Sequence, residues 1–150
     1  MQTIDEYYML VALKEAEKAR KKSEVPVGAI IVKNDKIIAK AYNKVEKKYN
    51  STCHAELLAI QKASKKQKNW RLDNCILYTT MEPCMMCCGA ILQSRIKKIV
   101  YGIENKKHGA TNNLKNVEII PKILEKECYK IINSFFKKIR WCHLFFCSQK

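Results

Sequence analysis

Residues 75–95 read CILYTTMEPCMMCCGAILQSR. Residues 75–80 are a short apolar, β-branched and aromatic run, which predicts a buried strand. Pro83 follows, and proline is favoured in a first helical turn, so a helix is expected to open there and run over residues 84–95. Residues 97–101 predict a second strand, closed by Gly102. A strand, a helix and a further strand in that order are the unit of an α/β protein.

The flanking segments extend the pattern. Thr3-Ile4-Asp5-Glu6 fits a capping box. Ile4, Tyr8, Ala12, Ala16 and Ala19 then mark one face of a helix that Pro26 ends. Residues 27–33 and 37–43 flank the turn pair Asn34-Asp35 and predict a β-hairpin. Residues 44–52 read as polar loop. Residues 54–65 carry helical spacing through Leu57, Leu58 and Ile60. Beyond Gly102, residues 104–116 read as polar loop and residues 117–120 as a last strand. Residues 122–140 predict a long helix with Ile123, Leu124, Cys128, Ile131, Ile132, Phe135 and Phe136 on its inner side. Strands alternating with helices after an opening hairpin predict an α/β sandwich around a mixed sheet, as one domain over residues 1–150.

Composition narrows the class. The chain has 150 residues, 47% of them hydrophobic, which excludes wholesale disorder. No apolar run reaches the roughly 18–20 residues of a membrane span. Residues 1–25 lack the apolar core of a secretory signal, so a cytoplasmic, membrane-free protein is expected. Lys and Arg number 29 against 14 Asp and Glu, a formal net charge of +15. A balance so basic on one small domain is the footprint of a nucleic-acid binder. The bases are mostly Lys, with Ile and Asn also plentiful, so A/T-rich coding accounts for the charge about equally well. Eight cysteines fall below the ~8–10% of a disulfide scaffold, so the spacing must separate packing thiols from ligands.

Two segments carry chemistry: His54-Ala55-Glu56 and Pro83-Cys84-Met85-Met86-Cys87. Both fall at expected helix N-termini, where the helix dipole and free amides stabilise thiolates. One His and two Cys suit zinc, and three protein ligands leave a fourth position for water, the catalytic rather than the structural arrangement. Glu56 lies on the same first turn as His54, placed to take a proton from that water. A redox Cys-x-x-Cys would make the nearby His-x-Glu a coincidence. A structural zinc site would need Cys53 or Cys88, each adjacent to a ligand and poorly placed for a tetrahedron. Cys75, Cys128, Cys142 and Cys147 read as packing, His143 as surface or interface, and His108 as a weak candidate in its loop.

The ordered pair His-x-Glu and Pro-Cys-x-x-Cys resembles the signature of the zinc nucleobase deaminases. The chain as a whole resembles the bacterial-type tRNA-specific adenosine deaminases. The likeness runs through Val25-Pro26-Val27-Gly28-Ala29, Ala41-Tyr42-Asn43, Cys53-His54-Ala55-Glu56 and residues 77–87, then Gly89-Ala90-Ile91, Ser94-Arg95-Ile96 and Val100-Tyr101-Gly102. Glu127-Cys128 and Phe135-Phe136-Lys137-Lys138 complete it. The Ser-Arg-Ile stretch and the Phe-Phe-basic helix narrow it to the tRNA branch.

The resemblance implies a cytidine-deaminase-like fold, a three-layer α/β/α sandwich around a mixed five-stranded sheet. It implies a homodimer holding one zinc per subunit, and conversion of adenosine to inosine at the wobble position of a tRNA anticodon stem-loop. By position, His54, Cys84 and Cys87 would bind zinc and Glu56 would shuttle protons. Asn43 would hold the base edge, Val27 and Met81 would wall the pocket, and Phe135, Phe136, Lys137 and Lys138 would meet the stem-loop. The chain departs from the family where Asn105 stands for the usual Asp, and where the stretch between Leu114 and Val117 is shorter. Asn105 would lie near the sugar of the target nucleotide or, if the shortened loop reshapes the region, face water, and the aromatic residues 141–147 would pack on a partner subunit or be simply divergent. A deaminase of free guanine, cytosine or a nucleoside shares every metal residue, and a non-catalytic RNA-binding subunit shares all but the need for Glu56.

Overall fold

The computed structural model describes the backbone of residues 1–146 and the side chains of residues 1–139. The first helix, α1 (Ile4–Lys21), starts with the expected capping box, Thr3 and Glu6 each bonding the other's backbone N–H at 2.8 and 3.2 Å. Its buried stripe is Tyr8, Met9, Ala12, Glu15, Ala16 and Ala19, while Ile4 is 60% exposed and lies off that face. The helix stops well before Pro26. Ser23 takes a positive φ of 58°, and the amides of Ser23 and Glu24 return to the carbonyls of Arg20 and Ala19, a Schellman closure.

The hairpin forms as expected, β1 (Gly28–Lys33) against β2 (Lys36–Tyr42). Its turn pair has φ values of 48° at Asn34 and 57° at Asp35, the left-handed pair that matches the twist of antiparallel strands. The loop expected over residues 44–52 instead contains a single helical turn, α2 (Val45–Lys48). The next helix, α3 (Ala55–Gln67), packs through Ala55, Glu56, Ala59, Ile60 and Ala63. Leu57 and Leu58 are only half-buried, so small side chains let α3 lie close to the sheet. Strand β3 (Cys75–Met81) leads into α4 (Met85–Gln93), whose N-cap is Cys84. Pro83 thus lies outside the helix, one residue before the cap, rather than in its first turn.

Gly102 does not close the following strand; it lies inside β4 (Lys98–Ile103). A Cβ there would come within 2.2 Å of Cys128 Sγ, so glycine is what lets the last helix touch the strand. The loop beyond holds a 3₁₀ turn at Thr111–Asn113 and ends in β5 (Glu118–Ile120). The last helix, α5 (Glu125–Phe146), begins after positive φ values at Lys122 and Leu124, later than the sequence pattern suggested. It buries Cys128 and Phe135, whereas Phe136, expected inside, is 43% exposed. Cys142, His143, Cys147 and the rest of the aromatic tail lie outside the described side chains.

The five strands form one mixed sheet in the order β2-β1-β3-β4-β5. β1 is antiparallel to both neighbours, and β3, β4 and β5 are parallel. Alternate residues feed two cores. Ala29, Ile31, Leu77 and Ile99 face α3 and α4, while Ile30, Val32, Tyr78 and Val100 face α1 and α5. This is the three-layer α/β/α sandwich around a mixed five-stranded sheet. Because β1 and β2 run opposite to each other, the start of β1, the end of β2 and the end of β3 meet at one edge, with Gly28 opposite Tyr42 and Ala29 opposite Thr79. Among the described residues, no helix is long and apolar enough to cross a membrane.

Candidate active site and metal centre

Helices α3 and α4 both start at that edge. His54 is the N-cap of α3 and Cys84 the N-cap of α4, and neither side chain caps its own helix. Both turn instead to a common point that Cys87, in the first turn of α4, also reaches. His54 Nδ1 lies 3.7 Å from Cys84 Sγ and 3.6 Å from Cys87 Sγ, and the three ligand atoms fall within 4.8 Å of one another. Zinc bonds of ~2.3 Å to sulfur and ~2.0–2.1 Å to nitrogen at a tetrahedral angle require N and S to stand about 3.6 Å apart. The donor set therefore fits the ion in distance as well as in kind.

The electrostatics agree. Burial holds the His54 imidazole below its usual value, so it is neutral and keeps a lone pair for a metal. Burial pushes the Cys87 thiol far up, and the charges of Glu56 and Cys84 add to that. Thiolates in this position need a cation between them, aided by the two helix N-termini. Cys88 takes no part: it is buried, its Sγ donates to the Pro83 carbonyl at 3.6 Å, and burial pushes it up to about 12. Cys53 and His108 also lie outside the metal-binding group. Cys75 and Cys128 are buried within the cores, as the sequence suggested.

Glu56 is 4% exposed, one of the few carboxylates the fold buries. Burial pushes it up to about 7, outweighing the opposing influence of its own backbone amide and of Cys87. A dication beside it would draw it further down. A buried carboxyl beside the metal position is placed to take and return a proton, which general acid–base chemistry needs.

His54, Glu56 and Cys84 line a cavity of ≈ 260 Å³, with Cys87 buried beside them. Its walls include Val27, Asn43, Met81 and Asn105, so four of the residues singled out in the sequence meet there. The volume is just below the ~300–1,000 Å³ of drug-sized ligand sites, the scale of a base with part of its sugar. Phe135, Phe136, Lys137 and Lys138 are not among its walls. Phe135 is buried edge-to-face against Phe136, so of that pair only Phe136 offers a ring outward.

Two carboxylates that sequence reasoning passed over organise the walls. Glu24, 1% exposed, accepts from the amides of Glu46 and Lys47 at 3.1 and 2.7 Å and from Asn43 Nδ2 at 3.4 Å. It caps α2 and aims Asn43 into the cavity. Glu82 accepts from Asn105 N at 3.0 Å, Thr111 N at 3.3 Å and Thr111 Oγ1 at 2.5 Å. It fastens the loop that carries Asn105 to the β3–α4 junction that carries Cys84. Ala110 N donating to the Pro83 carbonyl and a bridge between Cys84 and Gly109 reinforce it. Gly109 is required there, since a Cβ would fall 2.2 Å from Glu82 Oε2 and 2.6 Å from the Asn105 carbonyl. The one sequence sign of Glu82 was its place in the Met-Glu-Pro-Cys run.

A base-sized cavity with a buried carboxyl beside a three-ligand zinc site, at the converging ends of two helices in this sandwich, is the centre of a zinc-dependent nucleobase deaminase. Residues 2–103 match the family model for the cytidine and deoxycytidylate deaminase zinc-binding region. The tRNA-specific adenosine deaminase of Bacillus subtilis is 43% identical, with 92% of each chain covered. A solved structure from studies of A-to-I editing by tRNA:A34 deaminases superposes with a TM-score of 0.79 at 32% identity, covering 83% of this chain and 98% of that one. A guanine deaminase structure from Bacillus subtilis is 40% identical over 69% of this chain and 66% of its own, with a TM-score of 0.64. The chain belongs to the cytidine and deoxycytidylate deaminase family, among the tRNA-specific adenosine deaminases, and its cofactor is zinc.

Proposed function

We propose that this protein hydrolytically deaminates adenosine to inosine at the wobble position of a tRNA anticodon. The observation that carries the reading is the meeting of His54, Cys84 and Cys87 beside Glu56, at a base-sized cavity that His54, Glu56 and Cys84 line, in a chain similar to tRNA-specific adenosine deaminases over nearly its whole length. His54, Cys84 and Cys87 would hold the zinc, which when bound acidifies water and acts as a Lewis acid. Glu56 takes one proton of the attacking water and passes it to ring nitrogen 1 of adenine, then takes the second from the new hydroxyl at carbon 6 and gives it to the amino group, which leaves as ammonia. Its burial keeps bulk water from competing for that proton. Asn43, aimed by Glu24, hydrogen-bonds the base edge, and Val27 and Met81 pack on the ring faces. The target base must leave the loop stack, a modest cost for an unpaired anticodon nucleotide.

The +15 charge supports an RNA substrate, since phosphate contacts dominate such affinities. Phe136, Lys137 and Lys138 on the outer surface of α5 would meet the stem. The chain would act as a single domain over residues 1–150, as a homodimer and in the cytoplasm. The test is an inosine assay on an anticodon stem-loop beside free guanine, cytosine and adenosine. The reading expects turnover of the stem-loop to exceed that of every free compound by orders of magnitude. Preferred turnover of free guanine would replace it with the free-base alternative.

A further inference from the structure

Immediately outside the cavity lies a charge cluster with no part in the chemistry above. Tyr42 directly precedes Asn43 and is half-buried at the end of β2. Lys22 Nζ donates to the Tyr42 hydroxyl at 2.7 Å and stands 5.2 Å from its ring centre. Lys44 Nζ stands 4.8 Å from the same centre. Together the lysines hold the Tyr42 phenol below its ordinary value, first through the Lys22 hydrogen bond and then through the charges of Lys44, Lys22 and Lys47. Two cations thus lie against one aromatic ring, which accommodates them through its face and its oxygen, and Lys47 stands nearby on α2.

The opposing charges are few and committed. Glu24 is buried and engaged with the amides of Glu46 and Lys47 and with Asn43. Glu46 is exposed at the cavity mouth. None of Lys22, Lys44 and Lys47 forms an ion pair among the described residues. The cluster is also rigidly joined to the site. Asn43 N donates to the Val27 carbonyl and Lys44 N to the Cys53 carbonyl, each at 3.0 Å, which ties both ends to cavity and ligand segments. Asn43, Val45 and Glu46 line the cavity itself.

We propose that Lys22 and Lys44, held against Tyr42, together with Lys47 on the adjoining α2, form a phosphate-gripping rim that holds the RNA backbone next to the nucleotide entering the cavity. The proposal rests on the RNA deaminase reading, because a nucleotide whose base occupies the cavity must bring its flanking phosphates to this rim. The Lys22 ammonium occupies a lone pair of the Tyr42 oxygen, which leaves the phenol O–H free to donate to a phosphate oxygen. A free base carries no phosphate and gains nothing here, so the rim adds discrimination for polymer over nucleobase.

The test compares two triple variants with wild type, on an anticodon stem-loop and over a range of salt concentrations. One is Lys22→Ala/Lys44→Ala/Lys47→Ala. The control, Lys65→Ala/Lys66→Ala/Lys68→Ala, removes the same charge around the far end of α3. Each single-strand phosphate neutralised contributes about 0.7 to the slope of log affinity against log salt. The rim variant is expected to lose roughly 2 from that slope and to raise KM about tenfold or more, with zinc content and Tm retained. The control is expected to keep both slope and KM. An unchanged slope and KM in the rim variant, or equal losses in both triples, overturns the rim while leaving the deaminase reading standing. Wild-type protein that processes free bases but not the stem-loop overturns that reading, and the rim with it.

Discussion

Glu82→Ala would cut the fastening between the two halves of the site. The carboxylate receives three hydrogen bonds, from Asn105 N, Thr111 N and Thr111 Oγ1. Bonds to a charged acceptor contribute roughly 1.5–3 kcal/mol each, and a buried donor left unpaired costs about 1–3 kcal/mol. Thr111 is 3% exposed, so its two donors would be stranded. Asn105 is half-buried and its amide can turn to water. The expected loss is therefore about 3–5 kcal/mol, most of it at Thr111. For a chain of this size that lowers Tm by roughly 10 °C. A loosened loop also misplaces Asn105, and a displacement of about 1 Å can cost on the order of 100-fold in rate. We expect kcat/KM on the stem-loop to fall about 10- to 100-fold with zinc still bound, and amide exchange at Asn105 and Thr111 to accelerate. Glu82→Gln keeps one neutral acceptor for Thr111 and should fall between wild type and Ala. A Glu82→Ala protein with Tm within 2 °C of wild type, kcat/KM within about twofold and unaltered exchange at those amides would refute the reasoning.

Glu56→Gln should retain zinc and Tm but lower kcat by about 10²–10⁴-fold, the usual contribution of a positioned acid–base group; more than a few per cent of wild-type activity in a discontinuous inosine assay contradicts the assignment. Cys87→Ala should lose zinc by metal analysis and, with free zinc at about 1,000 times Kd, forfeit ~4 kcal/mol of linked stability; stoichiometric metal in that variant would mean the ligands are misassigned. Asn105→Asp places a carboxylate in the cavity wall, where under the proposed function it would accept from the 2′-hydroxyl of the target nucleotide. The ratio of activity on RNA to activity on a matched DNA stem-loop should rise in that variant, and an unchanged or lower ratio removes Asn105 from sugar recognition.

Local chemistry made much of the framework legible. The hairpin follows from Asn34-Asp35, whose side chains tolerate the left-handed backbone that a tight antiparallel turn needs. The capping box follows from two side chains three residues apart, and the metal set from Cys-x-x-Cys, because one helical turn aims both sulfurs to one side. His54 and Glu56 were readable for the same reason: a functional group at a helix start has its direction set by the backbone within a few residues. Asn43, Val27 and Met81 came from the family resemblance, and no local pattern singled them out.

What lay beyond the local pattern depended on segments far apart in the chain. Pro83 favours a helix start, yet the helix opens two residues later, because Cys84 must serve as cap with its thiol turned to the metal. Gly102 resembled a strand terminus, but its reason is Cys128 on α5 pressing against β4. Phe136 followed the apolar period of α5 and still came out exposed, since only one stripe of a helix can face a flat sheet. Glu24 and Glu82 looked like ordinary surface charges. Their partners, 19 to 29 positions away, supply the donors that make the burial of Glu24 and the half-burial of Glu82 tolerable. Helical and strand periodicity, caps and ligand spacing are interactions among near neighbours, so they are written in consecutive residues. The cavity, the clasp across its mouth and the gathering of lysines around Tyr42 exist only once the order β2-β1-β3-β4-β5 brings distant segments to one edge of the sheet.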